Sequence, residues 1–145
     1  MTDRQRPRLV HTMRYERATD AIDFLCAAFG FERQAVFPGE SEGSIAHAEL
    51  AFPGGMVMLS SPDDDPTNAY NRTTAQPREL DGRNTSAPYI VVDDADAHYA
   101  RATAAGATIV RDIQTEDYGG RGYVCADPEG FVWTFGTYDP WGAQD

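Results

Sequence analysis

The chain repeats itself, and that repeat limits the folds open to it more than any other feature. Ala21-Ile-Asp-Phe-Leu-Cys-Ala-Ala-Phe-Gly30 lies over Ala97-His-Tyr-Ala-Arg-Ala-Thr-Ala-Ala-Gly106. Gly30 precedes Pro53 at almost the distance by which Gly106 precedes Pro128. Each copy reads as a strand, a helix and three strands. In the first, Arg8 to Tyr15 alternates as a strand. Thr19-Asp20 then caps a helix with Ala21, Ile22, Phe24, Leu25, Ala28 and Phe29 on one face, and Gly30 closes it in the left-handed conformation. Strands follow over 31–37, 44–52 and 56–60, with Pro53-Gly-Gly55 turning the last pair. In the second copy the strands are 89–93, 108–113, 119–126 and 131–135, and the helix is 94–105 with Gly106 as its cap. The pattern predicts an α+β fold of two βαβββ modules, about 8–60 and 88–138, in one domain. Residues 61–87 carry Asp63-Asp-Asp-Pro66 and no apolar period, and read as a mobile linker in preference to a lid.

Charge narrows the partners. Twelve basic and 23 acidic residues leave a net charge of −11, which repels phosphate backbones and anionic lipid; the surplus reads first as a device for solubility, and it would also suit a cationic ligand. No apolar run is long enough to span a bilayer, and the polar start of the chain is expected to hold no signal peptide. Residues 1–7 read as a frayed leader. Cys26 and Cys125 sit in apolar patterns, as buried thiols of a reducing cytoplasm do.

In order and spacing, three groups of residues resemble the vicinal oxygen chelate superfamily, which includes glyoxalase I, extradiol dioxygenases, fosfomycin resistance enzymes and bleomycin-binding proteins. They are Ala21-Ile-Asp-Phe24 with Phe29-Gly-Phe31; Val91-Val-Asp-Asp-Ala-Asp-Ala97 with Tyr99 and Ala105-Gly106; and Asp127-Pro-Glu-Gly130. The resemblance implies curved mixed sheets around a cavity, helices on their outer faces, and a homodimer. It also implies four metal positions, which fall on Val10, Leu59, Ala87 and Thr134. Alanine, valine and leucine side chains offer no lone pair, and a threonine hydroxyl is a poor ligand alone. Sliding His11 into the place of Val10 flips the strand face and still supplies only one imidazole.

Strand parity gives a second set of candidates. The cavity set is Thr12 and Arg14; His47 and Glu49; Val57 and Leu59; Tyr89 and Val91; Arg121, Tyr123 and Cys125; Val132 and Thr134. His47 and Glu49 share a face. They read as a general base with a polar anchor, as half of a displaced metal site, as the solvated face of an edge strand, or as a face where Glu49 pairs with Arg14 or Arg121. His11 reads as a packed histidine, His98 as surface, Trp133 as helix-facing core and Cys125 as an inert thiol.

The leading expectation is a metal-free, cofactor-free member that holds a small organic molecule, as bleomycin-binding proteins sequester a drug. The alternative is a glyoxalase-type lyase or isomerase that uses a relocated metal or the His47/Glu49 pair. A third reading is an interaction module acting through its dimer surface. Both pairings of the modules, within one chain or across a dimer, stay open.

Overall fold

The computed structural model describes residues 6–142, so most of the expected leader lies outside the described residues. Module one runs β1 (His11–Arg14), α1 (Ala18–Phe29), β2 (Glu32–Pro38), β3 (Ile45–Phe52) and β4 (Gly55–Ser60). Residues 61–87 follow, with a short helix α2 (Ala69–Thr73) and a 3-10 turn (Pro77–Leu80). Module two runs β5 (Tyr89–Val91), α3 (Ala95–Ala104), β6 (Thr108–Thr115), β7 (Arg121–Ala126) and β8 (Val132–Gly136). The two sheets have the same plan, β1-β4-β3-β2 and β5-β8-β7-β6, each with a parallel pair at one edge and antiparallel pairs elsewhere. They are not closed into barrels.

The two helices differ in how they are finished. α3 caps itself: Asp94 accepts from the Ala97 N–H at 3.0 Å, and Gly106, at φ +100°, turns the chain so that the Ala107 N–H reaches the Ala102 carbonyl. α1 starts one residue before the expected Thr19 cap, behind Arg17, and no side chain of its own caps it. The Thr19 hydroxyl donates to the Gly43 carbonyl instead. Module two supplies the cap: the Glu129 carboxylate accepts from the Glu16 and Arg17 N–H groups at 2.7 and 3.0 Å. At the other end, Arg101 of α3 donates to the Cys26 and Ala27 carbonyls at 3.1 and 2.8 Å. An anion at the N-terminus and a cation at the C-terminus are the signs that the helix dipole favours. Gly30 is needed there twice: its φ is +76°, and a Cβ would stand 2.9 Å from the Arg101 guanidinium.

One core serves both modules. α1 buries Ala18, Ala21, Ile22, Leu25, Ala28 and Phe29, whereas α3 buries only Ala95 and Ala102. The Phe29 ring lies 4.6 Å from Phe135 and 5.4 Å from Trp133. His11 packs edge-on against Trp133, also from the core side. Asp127, only 4 % exposed, tolerates this place because four donors meet its carboxylate. These are the Tyr15 hydroxyl at 2.6 Å, the Trp133 indole at 3.0 Å, and the Glu129 and Phe131 N–H groups.

Register corrects part of the expected cavity set. Val57 and Leu59 pair with Leu50 and Ala48 and are buried with them in the core. Tyr123 and Cys125 pair with Phe135 and Trp133 and are wholly buried. β4 reads Met-Val-Met-Leu and β7 reads Tyr-Val-Cys, apolar on both faces, so alternation carried no direction and neighbouring strands decided it. Arg121 also leaves the set, because it reaches α3 and grips Asp96 with two bonds of 2.9 Å. His98, expected at the surface, is half-buried. Its Nδ1 is 2.6 Å from the Tyr123 hydroxyl and its ring lies 4.1 Å from Phe135.

Candidate functional site

The cavity lies on module one, against the sheet face turned away from the core. Parallel and antiparallel register put Thr12, Arg14, His47, Glu49, Met58 and Ser60 on that face. The segment read as a linker forms the opposite wall, so the cavity of about 780 Å³ lies between the sheet and residues 62–79, with Phe131 of module two at one end. Met13 and Leu59 border its floor from the core side.

The segment holds its shape through its own polar groups. Asn68 caps α2 by accepting from the Tyr70 N–H. Gln76 and Glu79 form a reciprocal capping box on the 3-10 turn. Asp63 is the hub: Asn71 and the Asp65 N–H donate to Oδ1, and Asn68 donates to Oδ2. Those bonds, Asn71 first and then the Asp65 N–H, hold its carboxyl below the usual range.

Three links fasten this wall to the sheet. Arg14 donates to the Asn71 side-chain carbonyl and reaches Asp63 at 3.5 Å, with the Tyr70 ring 5.7 Å from the guanidinium carbon. Gln76, buried, donates to the Arg14 carbonyl. Arg78 pairs with Glu16 at 3.0 Å. Arg14 therefore pairs with the wall and not with Glu49.

His47 and Glu49 meet at 2.9 Å, and the His47 ring stacks on Phe37 at 6.2 Å. Both are half exposed and only His47 borders the cavity. Tyr89 and Thr134 are paired in the other sheet and face the open side of module two, where Tyr89 donates to the Tyr138 carbonyl. Thr12, Arg14, His47 and Glu49 therefore lie on the sheet of module one, and Tyr89, Val91, Val132 and Thr134 on that of module two. Parity pointed to the first group; nothing in the composition of 61–87 pointed to Asp63, Tyr70, Asn71 and Gln76, whose roles come from a fold of polar residues over the sheet.

The metal positions can be tested on the register. Of the four expected positions, Val10 and Ala87 precede their strands and Leu59 turns into the core; the paired positions on the open faces are Thr12 with Met58 and Tyr89 with Thr134. Two threonine hydroxyls, a thioether and a phenol do not match the imidazole and carboxylate sets that hold divalent ions. Among the described residues no three His, Cys, Asp or Glu side chains stand together as a metal site. The donor set does not fit a metal at these positions.

Paired βαβββ modules, sheets left open, and a cavity on the face away from the helices define an α+β protein of the paired-module class. The profile of the Glyoxalase/Bleomycin resistance protein/Dioxygenase superfamily matches residues 8–135, and the chain belongs to that superfamily. It is 35% identical over 119 residues to the protein Rv0887c of Mycobacterium tuberculosis, covering 82% of this chain and 67% of that one. Among solved structures it is similar to TioX from Micromonospora sp. ML1, with a TM-score of 0.67 and 30% identity over 90% of this chain and 94% of that one. The fosfomycin resistance protein FosX from Listeria monocytogenes, solved with manganese and a dihydroxypropylphosphonic acid, shares the fold at a TM-score of 0.58 and 16% identity over 91% of this chain and 90% of that one. No helix among the described residues is long and apolar enough to cross a membrane.

Proposed function

We propose that the chain is a binding protein that sequesters a small organic molecule in the module-one cavity, with no metal or other cofactor. The carrying observation is the cavity itself. About 780 Å³ is drug-sized, its lining mixes Met58, Tyr70, Phe131 and His47 with a few oriented polar groups, and the paired face positions Thr12, Met58, Tyr89 and Thr134 carry no imidazole or carboxylate. The test is metal content after purification without an affinity tag, followed by calorimetric titration with Ni, Zn, Fe and Mn. No stoichiometric uptake is expected. Tight binding of one ion per chain would sink the metal-free reading and direct attention to His47, Glu49 and His11.

A second reading rests on the 2.9 Å contact between His47 and Glu49. In it His47 is a general base, oriented by Glu49, for a lyase or isomerase of glyoxalase type. Turnover abolished by His47→Gln would establish it.

The partner is a second copy of the chain. The helix-bearing faces share one core, so the open face of module two, with Tyr89 and Val91 about 40% exposed, is left for another protomer to cover. Sedimentation should give a homodimer. The acidic surface fits a cytoplasmic protein that binds neither nucleic acid nor membrane.

A further inference from the structure

The ion-paired arginines single one out. Arg14 is the most buried among the described ion pairs, its side chain 18% exposed against 35–80% for the others. It also has the longest carboxylate contact, 3.5 Å where the others are 2.5–3.0 Å. A guanidinium largely withdrawn from water ordinarily gains a short, forked pairing, because its desolvation has to be offset. Here Asp63 spends its oxygens on Asn68, Asn71 and the Asp65 N–H, and only grazes Arg14. Arg14 meets one amide oxygen, one distant carboxylate oxygen and the face of Tyr70. The fork is inside the cavity with room for a better partner.

We propose that Arg14 recognises a carboxylate carried by a planar organic ligand, and that Asp63 and Asn71 hold that place while the cavity has no such guest. This inference rests on the cavity being a small-molecule site. A ligand carboxylate can engage the fork with two parallel N–H···O bonds, which neither Asp63 nor Asn71 does. Asp63 keeps its three other donors when it lets go, so little is lost from the wall. The ring of such a ligand meets His47 and Tyr70, which border the same space. The overall charge of −11 argues for a cation. Distant charges are screened beyond about 8 Å in physiological salt, however, whereas the guanidinium acts at contact.

Three probes of one shape and different charge test this: benzoate, benzamide and benzamidine, titrated into the full chain and followed by amide chemical shifts of residues 12–14, 58–60 and 63–71. Benzoate is expected to bind about tenfold more tightly than benzamide, and benzamidine no better than benzamide. Arg14→Gln should bring benzoate down to benzamide, and Arg14→Lys should keep part of the preference, since an ammonium keeps the charge but not the fork. Asp63→Asn, on the exposed wall, should raise benzoate affinity several-fold by removing the competing carboxylate. Benzamidine binding ahead of benzoate, or benzoate affinity unchanged in Arg14→Gln, overturns the proposal. If benzamide binds and benzoate gains nothing over it, the cavity remains a binding site and the carboxylate reading falls. If none of the three shifts those residues, the binding function falls as well, and the proposal with it.

Discussion

The two modules share a plan and differ in how much each can do alone. Module two finishes its own helix, with Asp94 at one end and Gly106 at the other. Its turn Asp127-Pro-Glu-Gly130 sends one carboxylate into the core and one to the start of α1. Module one has Phe52-Pro-Gly-Gly55 at the corresponding turn, with no carboxylate to send anywhere. Its helix depends on module two at both ends. What module one has instead is a cavity with a second wall. A repeat in sequence thus need not be a repeat in labour: one copy helps to finish the other's helix, and the other carries the walled cavity.

The sharpest way to break this comparison is Asp127→Ala. It strands the Tyr15 hydroxyl, the Trp133 indole and two N–H groups in the core, and should cost about 3–5 kcal/mol in urea unfolding. A cost below 1 kcal/mol would mean the turn is not a keystone. Leu59→Ala against Met58→Ala comes next. Leu59 is buried in the core and should cost about 3 kcal/mol, whereas half-exposed Met58 faces the cavity and should cost under about 1 kcal/mol. Equal losses would contradict the register.

Acid should loosen the contact between α1 and α3. Burial, the main cause, lowers the pKa of His98 to about 4, while an unfolded histidine titrates near 6.5. Between those values the unfolded chain binds more protons, so stability falls as pH drops through that window, by about 1–3 kcal/mol for a half-buried ring. Burial raises the pKa of Asp127, which gives the opposite slope, so the readout is the difference between the wild type and His98→Gln across the window. The smallest effect is Glu129→Ala, about 1 kcal/mol, seen as faster hydrogen exchange at the amides of Glu16 and Arg17 in the other module.

Much of the fold could be read in the sequence because it is local. The apolar face of α1, the two glycine caps and the paired turns are spacings within a few residues, and element positions came out within a few residues of those observed. What could not be read was relational. Thr19 looked like a cap because capping by Glu129 from a distant turn leaves no trace near Arg17. His98 looked exposed because α3 has a weak apolar face, yet Phe29 and Tyr123 close over it from other elements. The cavity showed half of itself: Thr12, Arg14 and His47 follow from parity on strands, but the wall of Asp63, Tyr70 and Asn71 is built from polar residues whose composition also describes a disordered tether.

The clamp on α1 also bears on how such a chain arises and can be cut. Duplication of a βαβββ unit would at first have given two interchangeable halves. With Glu129 and Arg101 holding the ends of α1, the first half leans on the second. Excised at residue 61, module one would keep the Gly30 cap of α1 but lose Glu129 from its start and Arg101 from its end, along with Trp133 and Phe135 from its core.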